Sequence, residues 1–293
     1  MSEANRRSLM IFPVLVLIGL GIAWAGSQGG ATIGNIPLFM LAVAIIFIIQ
    51  WVAFIPAFQQ QSEKFFDLTG SLTYISVTIL LFLLSPNRDA RSFLLTAMIV
   101  IWAVRLGTFL YRRVQAEGKD GRFDNLKPHF FRFLNVWTIQ ALWVTFTGAA
   151  AYIALTTANQ KPLGVVAIIG VLVWLAGFAI EVIADNQKSA FRADSKNKGK
   201  FIDTGLWSRS RHPNYFGEIM LWAGVAIVAL PVFQGWQWIG LISPFFVVLL
   251  LTRVSGIPLL EDRADKKWGG QQDYEAYKEQ TPVLVPRLTG TNK

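Results

Sequence analysis

The sequence predicts an all-α, polytopic membrane helix bundle with both termini in the cytoplasm. Of its 293 residues 53% are hydrophobic and only 15% charged, against about 25% charged in a soluble domain. Apolar runs of about 18 residues or more, long enough to cross a bilayer, recur along the whole chain. The basic residues are partitioned: 23 of the 27 lysines and arginines fall on one side of the expected spans and three on the other. That asymmetry places the basic side in the cytoplasm. The +9 net charge is then an orientation signal, with attraction to anionic headgroups and no need to invoke nucleic acid.

Eight spans follow in order: 9–25, 36–56, 67–84, 92–111, 135–157, 162–184, 213–230 and 236–252. The first follows Arg6 and Arg7, and Ala23-Trp24-Ala25 looks like a cleavage site. With seven spans behind it, an uncleaved helix is the expectation. Connections at 26–35, 85–91, 158–161 and 231–235 are short. The loops 112–134 and 185–212 and the tail 253–293 are long, basic and on the cytoplasmic face. Residues 1–293 are read as one membrane domain, with 1–30 an extra N-terminal span. The tail from Pro258 reads as an amphipathic helix, either an interfacial anchor or a lid.

Missing residues exclude chemistry. Without cysteine there is no thiolate nucleophile, Cys-bound zinc or iron–sulfur cluster. Two histidines, His129 and His212, are too few for a membrane di-iron site or for two haems, so no metal is expected. Neither Gly-x-Gly-x-x-Gly after a strand nor Gly-x-x-x-x-Gly-Lys occurs, which removes the soluble nucleotide folds.

The stretch Ser208 to Glu218 concentrates the polar chemistry. Pro213 suits the first helical position, where its missing N–H costs nothing. The N–H groups that follow favour anions, and Arg209, Arg211 and His212 add donors just before them. One turn on, Asn214 and Glu218 share a face that can read a polar ring substituent. Glu181, Asp185, Lys188 and Arg192 recur at spacings of four, three and four, on one helix face. They form either a solvated helix end or a cofactor contact, with Asp185 accepting from a ribose or carboxamide and Lys188 and Arg192 meeting phosphate. Arg105 lies inside the fourth span, where it either snorkels or faces inward. Asp67, Ser71 and Tyr74 line one face of the third span; Asp67 serves the helix dipole or, kept protonated, shares a carbonyl oxygen with Tyr74. Arg263, Tyr274 and Tyr277 of the tail close over a nucleotide if the tail is a lid.

The run Ser210-Arg211-His212-Pro213-Asn214-Tyr215-Phe216-Gly217-Glu218 resembles the C-terminal signature of the steroid 5-alpha reductase superfamily, nearest its bacterial DUF1295-like branch. The resemblance extends over about 67–286. It implies a seven-helix membrane enzyme that holds NADPH and reduces a carbon–carbon double bond conjugated to a carbonyl in a lipophilic substrate, as in a 3-oxo-Δ4-steroid. It also implies a bacterial inner-membrane location with the site facing the cytoplasm. Asn214 and Glu218 then match positions near the nicotinamide, with Glu218 expected to be catalytic alongside Asp67 and Tyr74, and Tyr215 in the motif. Asp185, Arg192 and Arg105 match cofactor contacts, and Asp67 stands where the family has a substrate-binding acid. Two departures are visible: the Gln-Glu-Leu pattern is absent, and the tyrosine expected before Arg105 is Trp102. Membrane methyltransferases that use S-adenosylmethionine share an Arg-His-Pro-x-Tyr-x-Gly motif, with Glu261 and Arg263 in place for that alternative. A lipid binder without turnover is the non-enzymatic alternative.

Overall fold

A computed structural model describes residues 3–86, 88–117 and 121–287. The chain is helical, as expected for an all-α bundle. Its helices are α1 (Glu3–Gly26), α2 (Leu38–Gln59), α3 (Phe66–Leu84), α4 (Ala90–Glu117), α5 (Phe130–Thr156), α6 (Val165–Ala193), α7 (Pro213–Ala229), α8 (Ile242–Leu249), α9 (Ile257–Trp268) and α10 (Gln272–Gln280). One small antiparallel hairpin, β1 (Thr32–Ile33) with β2 (Ile36–Pro37), turns through Gly34 at φ +56°. Eight segments among the described residues are long and apolar enough to cross a membrane.

Two helices run well past the C-terminal ends of their expected spans. α4 continues from 111 to Glu117 and α6 from 184 to Ala193. No glycine or proline interrupts either stretch, and the polar extension of α6 keeps Asp185, Lys188 and Arg192 helical. The last expected span, 236–252, is broken. It runs as a 3-10 turn at Gly235–Leu241, then α8, then a π turn at Leu250–Val254. A reciprocal cap between Gln234 and Gln237 starts the 3-10 turn. The π turn closes where Ser255 N donates to Leu250 O at 2.9 Å, five residues back.

The contacts separate into two compact units, Met1–Ala167 with Ala226–Ser243, and Ile168–Val225 with Pro244–Lys293. In the first, α5 is the axle, with 83% of its apolar window buried and contacts to α1, α2, α3 and α4. Its Ala149-Ala150-Ala151 run is fully buried, as small residues allow when helices approach closely. Polar side chains stitch this unit: Gln50 Nε2 donates to Thr73 Oγ1 at 2.9 Å, Trp51 Nε1 to Thr138 Oγ1 at 3.1 Å, and Asn135 Nδ2 to Ser8 O at 2.7 Å. Gln140 Nε2 reaches Phe66 O at 3.1 Å. The buried carboxylate of Glu63 accepts from Lys127 at 2.5 Å, and Phe54, Phe123, Phe133 and Trp137 form a buried cluster in the same unit. Burial works against the Lys127 charge, but its bonds to Glu63 and Asp124 outweigh it and hold its pKa above the usual lysine value.

Arg91 is 2% exposed, and its guanidinium donates to the carbonyls of Val228, Lys161 (3.3 Å) and Pro162 (3.0 Å). It therefore satisfies carbonyls at the end of α7 and in the α5–α6 connection together. Arg91→Ala is expected to cost about 3 kcal/mol, the loss of charged hydrogen bonds to buried carbonyls. Lys161→Ala, which keeps its main-chain carbonyl, should stay near wild type. Thermal unfolding in detergent checks both; equal stabilities would remove the clamp.

In the second unit, α6 and α7 touch backbone to backbone. A Cβ placed on Gly217 would lie 2.6 Å from Glu181 N and 2.6 Å from Gly177 O. One on Gly177 would lie 2.5 Å from Leu221 N, and one on Gly224 2.6 Å from Trp174 N. The glycines Gly170, Gly177, Gly217 and Gly224 thus form a facing pair of seven-residue repeats. This contact carries Glu181 and Asp185 to the start of α7.

Candidate active site

The second unit holds most of the polar residues singled out from the sequence. Asp185, 5% exposed on α6, accepts from Asn214 Nδ2 on α7 at 3.2 Å. Glu181 is 2% exposed one turn earlier, and Glu218 is half-buried one turn beyond Asn214. The ring of Tyr215 stacks on His212, with centroids 5.7 Å apart and planes 9° from parallel.

His212 is itself 4% exposed and is gripped from α9. Its Nε2 lies 2.8 Å from Glu261 Oε1, and Glu261 Oε2 lies 2.7 Å from Arg211 Nη1. One carboxylate therefore holds both motif side chains. The Arg211 contact is an ion pair and not an aligned hydrogen bond, because its Nη1 and Nε, like His212 Nδ1, have no hydrogen-bond partner among the described residues. Burial pushes the His212 pKa below its usual value, Glu261 pulls it back up, and Lys188 and Arg211 add to the depression.

The backbone of the motif is tied down by the chain end. Arg211 N donates to Pro282 O at 2.9 Å, and Arg287 N donates to Arg209 O at 3.0 Å. Ser210 Oγ donates to Leu284 O at 2.8 Å and accepts from His212 N at 3.1 Å. Beside this strap, Trp207 is 3% exposed and its indole donates to Ala184 O at 3.0 Å. Tyr277 donates its hydroxyl to Trp207 O at 2.7 Å, and Lys188 Nζ sits 4.4 Å over the Trp207 ring. Burial holds the Tyr277 hydroxyl well above the usual tyrosine range, so it remains a donor. Tyr274 donates to Asp265 at 2.8 Å within the same aromatic group as Phe201 and Trp268.

The remaining candidates lie further out or in the first unit. Arg192, Arg209 and Arg263 are exposed. Tyr74 is 5% exposed and meets Trp102 edge-on at 5.1 Å. Asp67 is half-buried, 3.8 Å from Arg113 Nη2, and its carbonyl accepts from Ser71. Arg105 lies 5.3 Å over the ring of Phe109 on its own helix. Among the described residues no group of three or more His, Asp or Glu is placed to hold a metal.

Sequence reasoning gave no role to Trp207, to Ser210 within the motif, or to Gln187, whose Oε1 accepts from Leu206 N at 2.9 Å. It placed Glu261 only in the methyltransferase alternative, and not beside the Arg-His pair. A serine two residues before the histidine was the readable signal for a local cap. Nothing local marks a pairing across 49 residues.

A family model described as a protein of unknown function, DUF1295, matches residues 53–281. An uncharacterized protein of Schizosaccharomyces pombe is 23% identical over 254 residues, 75% of this chain and 71% of that protein. A Delta(14)-sterol reductase of Methylotuvimicrobium alcaliphilum is 27% identical over 188 residues, 56% of this chain and 40% of the reductase. A steroid 5-alpha-reductase of Gossypium hirsutum is 27% identical over 117 residues, 40% of each chain. The chain thus spans 40% of the length of these two reductases. No solved structure matches. With 53–281 covered by one model and with sterol and steroid reductases among its relatives, the chain belongs to the DUF1295 family of the steroid 5-alpha reductase superfamily.

Proposed function

We propose that the chain is an NADPH-dependent membrane reductase acting on a carbon–carbon double bond conjugated to a carbonyl, in a lipophilic substrate that enters from the bilayer. The observation that carries this reading is the Arg211–Glu261–His212 cluster at the head of α7, with Arg211 Nε and His212 Nδ1 buried and unpartnered among the described residues. Relatives named as sterol and steroid reductases support it. The asymmetry of basic residues supports a site facing the cytoplasm, in a bacterial inner membrane on the family resemblance.

The donor set fits a phosphorylated dinucleotide. Arg211, at the start of the 17-residue α7, suits a pyrophosphate beside helix N–H groups. Exposed Arg192 and Arg209, with Lys188 and Arg263, suit the 2′-phosphate and the outer part of the ligand. Asp185 and Asn214, already bonded to each other, offer an acceptor and a donor for ribose or carboxamide, with Tyr215, Tyr277 and Glu218 as further proposed contacts. When bound, NADPH supplies the hydride. On the substrate side, Tyr74 is the proposed proton holder at the carbonyl oxygen, with Asp67 one face-mate away. Tyr74 and Trp102, both buried and in edge-on contact, limit water at that hydroxyl.

Thermal stabilisation of detergent-purified protein by NADPH, NADH and S-adenosylmethionine tests the reading. A ligand at one hundred times its dissociation constant adds roughly 2.7 kcal/mol. Stabilisation by NADPH over NADH is expected. Stabilisation by S-adenosylmethionine alone would overturn the reductase in favour of a methyltransferase acting on a prenylcysteine or phospholipid.

A further inference from the structure

We propose that Glu261 is a positioning residue that fixes His212 in one tautomer, leaving Nδ1 as a hydrogen-bond acceptor for a ligand hydroxyl. The sequence alone suggests the opposite use, His212 as one more donor to an anion. The geometry separates the two roles. A carboxylate oxygen only accepts, so the ring nitrogen 2.8 Å from Glu261 Oε1, Nε2, carries the hydrogen. Nδ1 of the neutral ring then presents a lone pair. It is buried, and it has no partner among the described residues, on a side chain that is itself 4% exposed. Tyr215, stacked at 5.7 Å, fixes the ring plane.

The groups facing the ring decide its charge. Glu261 on α9 favours imidazolium, whereas Lys188 on α6 and neighbouring Arg211 oppose it, and burial opposes it most. Tyr215 brings no charge near pH 7. The ring is therefore neutral there, and a neutral acceptor does not suit a phosphate. The other Glu261 oxygen holds Arg211 at 2.7 Å. One carboxylate thus orients a cation and an acceptor side by side, a pattern for an anionic group next to a hydroxyl, as in a sugar phosphate. The identity of that ligand rests on the dinucleotide reading; the tautomer does not.

Protein labelled with 15N-histidine gives signals from only two residues, and His129→Gln leaves His212 alone. Without ligand, near pH 7.5, Nε2 is expected to be protonated and Nδ1 bare. A protonated Nδ1 would overturn the proposal whatever the protein binds. Glu261→Gln is expected to mix the tautomers and to weaken NADPH binding about tenfold, the lower end for loss of an orienting partner. Its pH profile should also change. Wild-type binding fades as His212 gains a proton at low pH, and removing the carboxylate that favours imidazolium moves this limb to lower pH. An unmoved limb with uniform loss would mean a structural role only and would also overturn the proposal. Absence of any NADPH effect on wild type, with the expected nitrogen signals, would sink the dinucleotide and leave the tautomer standing.

Discussion

Gly217→Leu is expected to abolish the folded second unit, and Gly217→Ala to lower its stability by about 2–3 kcal/mol, the upper range for overpacking a tight contact. The atoms that a new Cβ meets, Glu181 N and Gly177 O at 2.6 Å, are backbone and cannot rotate aside. Relief requires α6 and α7 to separate, which also strips the contact at Gly177, where Leu221 N lies 2.5 Å from a built Cβ. In lipid, helix pairing depends on such packing, because apolar tails offer no hydrophobic gain for association. Separation would pull Asp185 on α6 from Asn214 on α7, so ligand binding should fall along with stability. Gly21→Ala is the control: its Cβ meets nothing within 4 Å, and alanine is the better helix former. Matching unfolding curves for Gly217→Ala and wild type would mean that the helices do not approach as described.

That contact also marks what was legible. The Gly217 of the motif was visible in the sequence only as part of a resemblance; its physical reason is the 2.6 Å approach of α6. The spans were legible because apolar length and basic flanks act locally, residue by residue. The broken last span was not, because apolar composition does not distinguish α, 3-10 and π turns. Asp185 with Asn214 was half legible, each from its own helix face, but the pair requires knowing that the two faces meet. The tail resisted most. Its sequence allowed a lid or an anchor, whereas Arg211 N on Pro282 O and Glu261 on His212 tie it to the motif from both backbone and side chain. Those bonds join residues 49 and 71 positions apart, which no periodicity encodes.

Arg211→Ala is expected to weaken NADPH binding at least 100-fold, a loss of about 2.7 kcal/mol. Two effects add. The guanidinium, whose Nε has no hydrogen-bond partner among the described residues, is lost as an anion donor, and Glu261 loses its ion pair while keeping His212. The second effect has a pH signature. Arg211 helps hold the His212 pKa down, so its removal leaves Glu261 pulling the ring toward imidazolium. A histidine whose folded pKa is depressed contributes most stability above its unfolded value of about 6.5 and loses it as pH falls through the folded value. The variant, with that depression partly relieved, should lose less stability on acidification than wild type while binding NADPH worse at every pH. Arg211→Lys restores the charge without the planar fork and should fall between the two. Titration of NADPH by thermal shift at pH 6 and pH 8 reads both effects. Wild-type affinity in Arg211→Ala would move the phosphate contact to exposed Arg192 or Arg209, whose own substitutions would then have to abolish binding.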